Sequence, residues 1–158
     1  MKPPLALLAL LPTSGCSSDG PTCGPTSAHV DRVIDGDTVV LDDGSKVRYL
    51  LMNAPETTNG HNDCYGANAA MFNTDLVLGK TIDLAYDVQC KDMYGRWLAY
   101  VSVDGTEVNS LMVQRGYACV LHISPDGDAR YDEFKSYEAD ARAAGRGLWS
   151  ACSPIPCN

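Results

Sequence analysis

The chain has 158 residues, is 45% hydrophobic and carries a formal net charge of −8. That is enough material for one domain with an ordinary core, and no run approaches the roughly 18–20 apolar residues needed to cross a bilayer. The acidic balance argues against a passive, tight nucleic-acid binder, whose affinity comes from neutralising phosphates; it leaves room for an enzyme with local cations and a bound metal ion.

The N-terminus reads as a targeting segment. Lys2 precedes the apolar stretch Leu5 to Leu11, and the small residues Thr13, Ser14 and Gly15 stand directly before Cys16. A short apolar core followed by small residues marks a secretion signal. Thr13-Ser14-Gly15-Cys16 also resembles the bacterial lipobox, whose cysteine is acylated and becomes the first mature residue. Residues 1–15 are therefore expected to be a lipoprotein signal peptide, and residues 16–28 a lipidated, flexible tether rich in Ser, Gly and Pro. The expected location is a bacterial membrane, the outer one if the source is Gram-negative because Ser17 follows the cysteine, or the extracellular space. Without Cys16 six cysteines remain: Cys23, Cys64, Cys90, Cys119, Cys152 and Cys157. An even number in an exported chain predicts disulfides, in any of 15 pairings. No C-x-x-C pair is present, which argues against zinc.

In chain order, residues 29–34 alternate as a strand, Asp35-Gly36-Asp37 is a turn, and 38–41 form a second strand. Asp42-Asp43-Gly44-Ser45 is a hairpin signal, and 46–52 form a third strand that Ala54-Pro55-Glu56 breaks. A polar loop follows to Asp63. Residues 66–78 read as a helix with Ala70, Leu76 and Val77 on its buried side. Strands are expected at 81–86 and 97–103, flanking the polar segment 87–96. Val108, Leu111 and Met112 recur at helical spacing up to Gly116, 118–123 read as another strand, and Tyr131, Phe134, Glu138 and Ala141 share a last helix. The fold class is α+β, and five short strands with an inserted helix suit a five-stranded OB-fold barrel with about three helices.

Four groups of residues carry chemistry. Asp35-Gly36-Asp37 offers two carboxylates suited to a hard cation, although the same text makes an ordinary turn. Arg48 stands in a strand that should be mostly buried, where an arginine needs an anionic partner and its planar fork matches a phosphate. In Asn53-Ala54-Pro55-Glu56, Asn53 offers an amide oxygen, Ala54 a free carbonyl at a bend, and Glu56 a general base. In Asp92-Met93-Tyr94-Gly95-Arg96, a second arginine follows a tight turn beside a tyrosine and suits the same phosphate.

In this order the blocks resemble the staphylococcal nuclease family. The matching text is Val33-Ile34-Asp35-Gly36-Asp37-Thr38-Val39, Arg48, Ala54-Pro55-Glu56-Thr57, Tyr65-Gly66, Tyr94-Gly95-Arg96, Leu98-Ala99-Tyr100, Asp104-Gly105, Val108-Asn109, Gly116 and Leu148-Trp149-Ser150. It covers residues 29–150, leaving 151–158 as a Cys-containing tail. The resemblance implies a five-stranded OB-type barrel with three helices that hydrolyses DNA and RNA phosphodiesters with Ca²⁺. It assigns Asp37 as direct carboxylate ligand, the Ala54 carbonyl as a second ligand and Asp35 as an outer-shell acid. Glu56 becomes the group that positions or deprotonates water, and Arg48 and Arg96 the phosphate-binding arginines. Asn53 stands where the family's best-known member has a second aspartate ligand, so one negative charge is lost from the metal shell. Met93 replaces a lysine, and His122 and Ser124 fall where substrate-contacting tyrosines are expected. Tyr94 remains a substrate contact, and His122 either joins it or is a surface histidine. In the implied fold the loops holding Cys64 and Cys90 border one side of the barrel, which predicts a Cys64–Cys90 bridge. The expected partners are nucleic acid and, through the lipid, a membrane, with the protein itself a monomer. A catalytically inactive OB module that binds nucleic acid or protein is the alternative, although such copies lose the arginines or the glutamate that are retained here.

Overall fold

The alternation read in the first strand becomes β1 (Ser27–Val33), in a computed structural model that describes residues 23–157. The lipobox, Cys16 and the tether up to residue 22 lie outside the described residues. Further strands are β2 (Thr38–Leu41), β3 (Lys46–Tyr49), β4 (Met52–Asn53), β5 (Thr81–Ala85), β6 (Trp97–Val103), β7 (Thr106–Glu107) and β8 (Cys119–Val120). The helices are α1 (Gly66–Val77), α2 (Val108–Gln114), α3 (Tyr131–Ala143) and the single turn α4 (Leu148–Ala151). The sheet runs β3-β2-β1-β5-β6, and a parallel pairing of β3 with β6 (Val47 opposite Trp97, Tyr49 opposite Ala99) closes it into the expected five-stranded barrel. Its interior is filled by Val30, Val39, Leu41, Val47, Tyr49, Ile82, Ala99 and Val101, all essentially inaccessible.

Two strand boundaries and the buried face of α1 differ from the sequence reading. The expected third strand, 46–52, divides at Leu50 and Leu51, where Leu51 adopts φ 57°. Nothing in an apolar run signals that break; it is held from outside, because the buried Asn109 amide donates to the Leu50 carbonyl (2.9 Å) and its oxygen accepts from Val101 N (2.8 Å). The turn sends Met52 and Asn53 out of the barrel to pair with Val120 and Cys119. Of the strand expected at 118–123 only those two partner residues remain as strand. On α1 the buried residues are Gly66, Ala69, Asn73 and Val77, with Ala70 and Leu76 only half-buried.

The end of the expected tether is part of the fold. Ser27 and Ala28 pair with Asp83 and Ile82, and the Tyr86 hydroxyl donates to the Pro25 carbonyl (2.7 Å). The bridges are Cys23–Cys90, Cys64–Cys152 and Cys119–Cys157, so the predicted Cys64–Cys90 pairing is corrected. The reason is positional. The segment preceding β1 runs beside the loop that holds Cys90, with Gly24 packed on Tyr86 and Trp97. Cys64, just before α1, lies instead against the C-terminal turn, with its Cα 5.8 Å from that of Cys152.

Two devices position the acidic turn and α1. Gly36 leaves no room for a side chain: a Cβ there would stand 2.5 Å from the Ala54 Cβ and 2.8 Å from the Ala69 Cβ. Asn73 of α1 donates to the Asp35 carbonyl (3.0 Å) and accepts from the Tyr49 hydroxyl (3.0 Å), fastening turn, helix and barrel together. On α3 the buried Glu138 accepts from Val120 N (2.9 Å), which anchors β8.

Candidate active site

Asp35 and Asp37 are both almost fully buried. Asp35 Oδ1 accepts from the Asp37 N–H (2.9 Å). Asp37 Oδ1 accepts from the Thr38 hydroxyl (2.9 Å) and its Oδ2 from the Ala54 N–H (2.9 Å), so the strand break at Ala54 is tied directly to this carboxylate. Arg48 completes the cluster, with Nε 3.2 Å from Asp37 Oδ1. Burial first, and the neighbouring charges of Asp37 and Glu56 after it, push the Asp35 carboxyl up to about 7 against the opposing pull of the Asp37 N–H.

Arg48 is less free than a phosphate-binding arginine was expected to be. Its Nη1 donates to the Tyr49 and Met52 carbonyls (2.7 and 2.8 Å) and its Nη2 to Asn53 Oδ1 (2.9 Å). Of the five N–H groups a guanidinium carries, three donate these hydrogen bonds and Nε faces Asp37 as an ion pair, leaving one N–H on Nη2. The carbonyls that fix it are exposed by the turn at Leu50 and Leu51, so that turn builds the site as well as ending the strand.

Arg96 is held differently. Its Nε lies 2.6 Å from Asp92 Oδ2, and Asp92 Oδ1 accepts from the Tyr94 and Arg96 N–H groups (2.9 and 3.0 Å). The turn needs Gly95 at φ 77°. Asp92 therefore orients Arg96, a role the sequence reading missed; the available signal was a carboxylate four residues before the arginine inside a polar turn. Both Nη groups of Arg96 have no acceptor among the described residues.

Arg48 and Arg96 line one pocket of about 370 Å³, together with Tyr94, Leu98, Leu121 and Ile123. Tyr94 is exposed there. His122 does not join them. Its ring stacks on Tyr131 (centroids 4.6 Å apart) and its Nε2 lies 2.7 Å from Asp128 Oδ1, while its neighbours Leu121 and Ile123 face the pocket.

Glu56 sits half-buried on the loop after Ala54. Its Oε1 accepts from Thr57 N (2.9 Å), Thr58 N (2.7 Å) and the Thr58 hydroxyl (2.6 Å), leaving Oε2 without a donor among the described residues. Burial raises its carboxyl, but the hydrogen bonds from Thr58 and Thr57 together outweigh that and hold it below the usual glutamate range. It is ionised at neutral pH.

As a donor set, Asp35, Asp37, the Asn53 amide and the Ala54 carbonyl are all hard oxygens, and nothing donates to the Ala54 carbonyl among the described residues. No cluster of three or more His, Cys, Asp or Glu side chains converges with metal-binding spacing among them. Two carboxylates, an amide and a main-chain carbonyl suit calcium, which takes neutral oxygens as well as charged ones.

A closed barrel thus presents two arginines in one pocket, with an acidic pair behind the first. The family model for staphylococcal nuclease homologues matches residues 46–151, and the chain belongs to that family. Similar proteins include Endonuclease YncB of Bacillus subtilis (strain 168), 38% identical over 128 residues, which are 77% of this chain and 60% of that protein. The SPbeta prophage-derived endonuclease YokF of the same strain is 38% identical over 128 residues, 77% of this chain and 43% of that protein. An uncharacterized endonuclease of Escherichia coli O157:H7 is 35% identical over 144 residues, 85% of this chain and 84% of that protein. The chain thus spans 60% and 43% of the two Bacillus relatives.

Proposed function

We propose that this protein is an exported, lipid-anchored, calcium-dependent nuclease that hydrolyses phosphodiester bonds of DNA or RNA. The observation that carries the reading is that Arg48 and Arg96 line one pocket while Arg48 also bonds to Asp37 and Asn53, so the phosphate-binding and cation-binding groups share a side chain. The names of the relatives support cleavage within the chain.

Asp37, Asn53 and Ala54 would hold calcium directly, with Asp35 behind them. When bound, calcium stabilises charge developing on the phosphate and acidifies water. The residues do the rest. The free Nη groups of Arg96 and the remaining N–H of Arg48 receive the non-bridging oxygens and stabilise them most as the transition state forms. Oε2 of Glu56 accepts a hydrogen bond from water and aims it at phosphorus; with its acidity raised by Thr57 and Thr58, Glu56 is better suited to orient water than to deprotonate it. Tyr94, Leu121 and Ile123 offer the sugar and base an aromatic and aliphatic wall. The test is digestion of plasmid DNA and of RNA by the chain lacking residues 1–15, in calcium, in magnesium or in chelator. Cleavage that chelator stops supports the reading, and no cleavage of either polymer sinks it.

Two expectations follow for single residues. Substituting Asn53→Asp adds a carboxylate beside Asp37 and should tighten calcium binding to the free protein by up to about tenfold, since ligand charge tunes such sites. Calorimetry without nucleic acid reads this, and unchanged affinity would remove Asn53 from the ligand set. At the other end of the chain, Cys16→Ser should move the protein from the membrane fraction to the soluble one. Wild-type protein found wholly soluble, with no diacylglyceryl mass on Cys16, would contradict the anchor.

A further inference from the structure

A second groove lies between α1 and α2, lined by Tyr65, Phe72 and Leu76 on one side and Leu111, Arg115 and Tyr117 on the other. Its floor is aromatic: the Phe72 and Tyr117 rings stack at 4.2 Å, and Tyr65 stands 5.5 Å from Tyr117. All three rings are only half-buried. On a chain of net charge −8, the lining holds one arginine and no carboxylate.

The arginine is free. Arg115 is exposed and has no hydrogen bond or ion pair from its side chain among the described residues. A cation at a helix C-terminus can serve simply as its cap. Here Arg146 already does that, donating to the Gln114 carbonyl at 3.1 Å, and it brings a second guanidinium without a carboxylate partner to the same helix end.

The groove also begins where the candidate active site ends. Gly66, next to Tyr65, packs so closely on the Glu56 segment that a Cβ there would lie 3.0 Å from the Pro55 carbonyl and 3.2 Å from that of Glu56. Asp63, two residues before Tyr65, accepts from the Glu56 N–H (3.1 Å). These contacts join the loop that carries Glu56 directly to the rim of the groove at Tyr65.

We propose that this groove binds the single-stranded continuation of the substrate, with bases on the Tyr65, Phe72 and Tyr117 rings and a backbone phosphate on Arg115. Aromatic platforms beside cations are how proteins hold single strands without reading sequence. The inference rests on the nuclease reading and extends it from one phosphodiester to a polymer several nucleotides long.

The test compares a long substrate with a minimal one. The long probes are an oligothymidylate and an oligouridylate of about 16 nucleotides; the minimal one is thymidine p-nitrophenyl phosphate, too short to leave the pocket. Arg115→Gln should raise KM for both oligonucleotides by roughly 3- to 10-fold and lower the salt slope of their binding by about one. Phe72→Leu, which keeps apolar bulk but removes the flat ring, should weaken oligonucleotide binding about fivefold or more. Neither should change kcat or KM on the minimal diester. An effect on one polymer alone would support the groove for that polymer only. Unchanged oligonucleotide KM and salt slope in Arg115→Gln overturns the proposal, as does a changed sedimentation of the free protein with no change in KM, which would mark the groove as a contact between copies. Fluorescence anisotropy in chelator keeps the two readings apart. If the wild type cuts nothing, yet Arg115→Gln still weakens oligonucleotide binding, the groove stands and the nuclease reading falls.

Discussion

Arg96→Ala is expected to lower kcat/KM by at least about 100-fold, the range measured when a single donor to a developing oxyanion is removed. The expectation follows from how the side chain is held. Asp92 takes Nε and leaves both Nη groups without an acceptor among the described residues, on a side chain that lines the pocket, so the guanidinium is oriented before substrate arrives. Arg96→Lys should recover little, because one ammonium cannot face Asp92 and a phosphate in the same fork geometry. Arg48→Ala should cost at least as much, but for two reasons. It removes a phosphate donor, and it strips the Tyr49 and Met52 carbonyls, Asp37 and Asn53 of their shared partner. Each buried polar group left unpaired costs about 1–3 kcal/mol, so this variant should also melt earlier, whereas Arg96→Ala should not. Steady-state kinetics beside thermal melts separate the effects, and near-normal turnover in both variants would reject the site.

The second large effect is expected at Glu56. Glu56→Gln should lower kcat by about 100-fold or more while leaving calcium affinity nearly unchanged. Glutamine retains an oxygen for the three hydrogen bonds from Thr57 and Thr58, so the loop keeps its shape. What changes is the other position, where a free acceptor becomes an N–H donor that cannot receive a hydrogen bond from water. The pH profile gives an independent check. A carboxyl held below its ordinary range stays ionised until pH falls through that lowered value, so at calcium concentrations that saturate the site and keep Asp35 ionised, the acid limb due to Glu56 should lie below the usual glutamate pKa of 4.5 and should be absent from the residual rate of the variant. An unchanged kcat would mean that another group handles the water.

Much of this site is written locally. Asp35-Gly36-Asp37, Arg48, Asn53-Ala54-Pro55-Glu56 and the turn ending at Arg96 each sit on one short segment, and the strands that carry them alternate or break where their residues demand. What escaped the sequence depends on contacts between distant segments. The turn at Leu50 and Leu51 has no glycine or proline to announce it; its stability comes from Asn109, 59 residues away from Leu50 along the chain. The cysteine pairing follows from which loops the barrel brings together, and the Ser, Gly and Pro content of the segment before β1 gives no sign that it docks beside the Cys90 loop and forms the Cys23–Cys90 bridge. His122 shows the same limit on a smaller scale. Alternation puts Leu121 and Ile123 on one face and His122 on the other, but which face meets the pocket is decided by Tyr131 and Asp128.

In the proposed mechanism a cation is shared between Asp37 and the substrate phosphate, and the most direct measurement is the initial rate of single-stranded DNA hydrolysis by the wild-type protein as free calcium is titrated from chelator upwards. With Asp37 as the one direct carboxylate ligand, the site should bind weakly, so the rate should rise from zero and saturate with a midpoint near 10⁻⁴–10⁻³ M, the range of extracellular calcium modules. A rate that persists undiminished in chelator, or one that stays at zero across the whole titration, would contradict it.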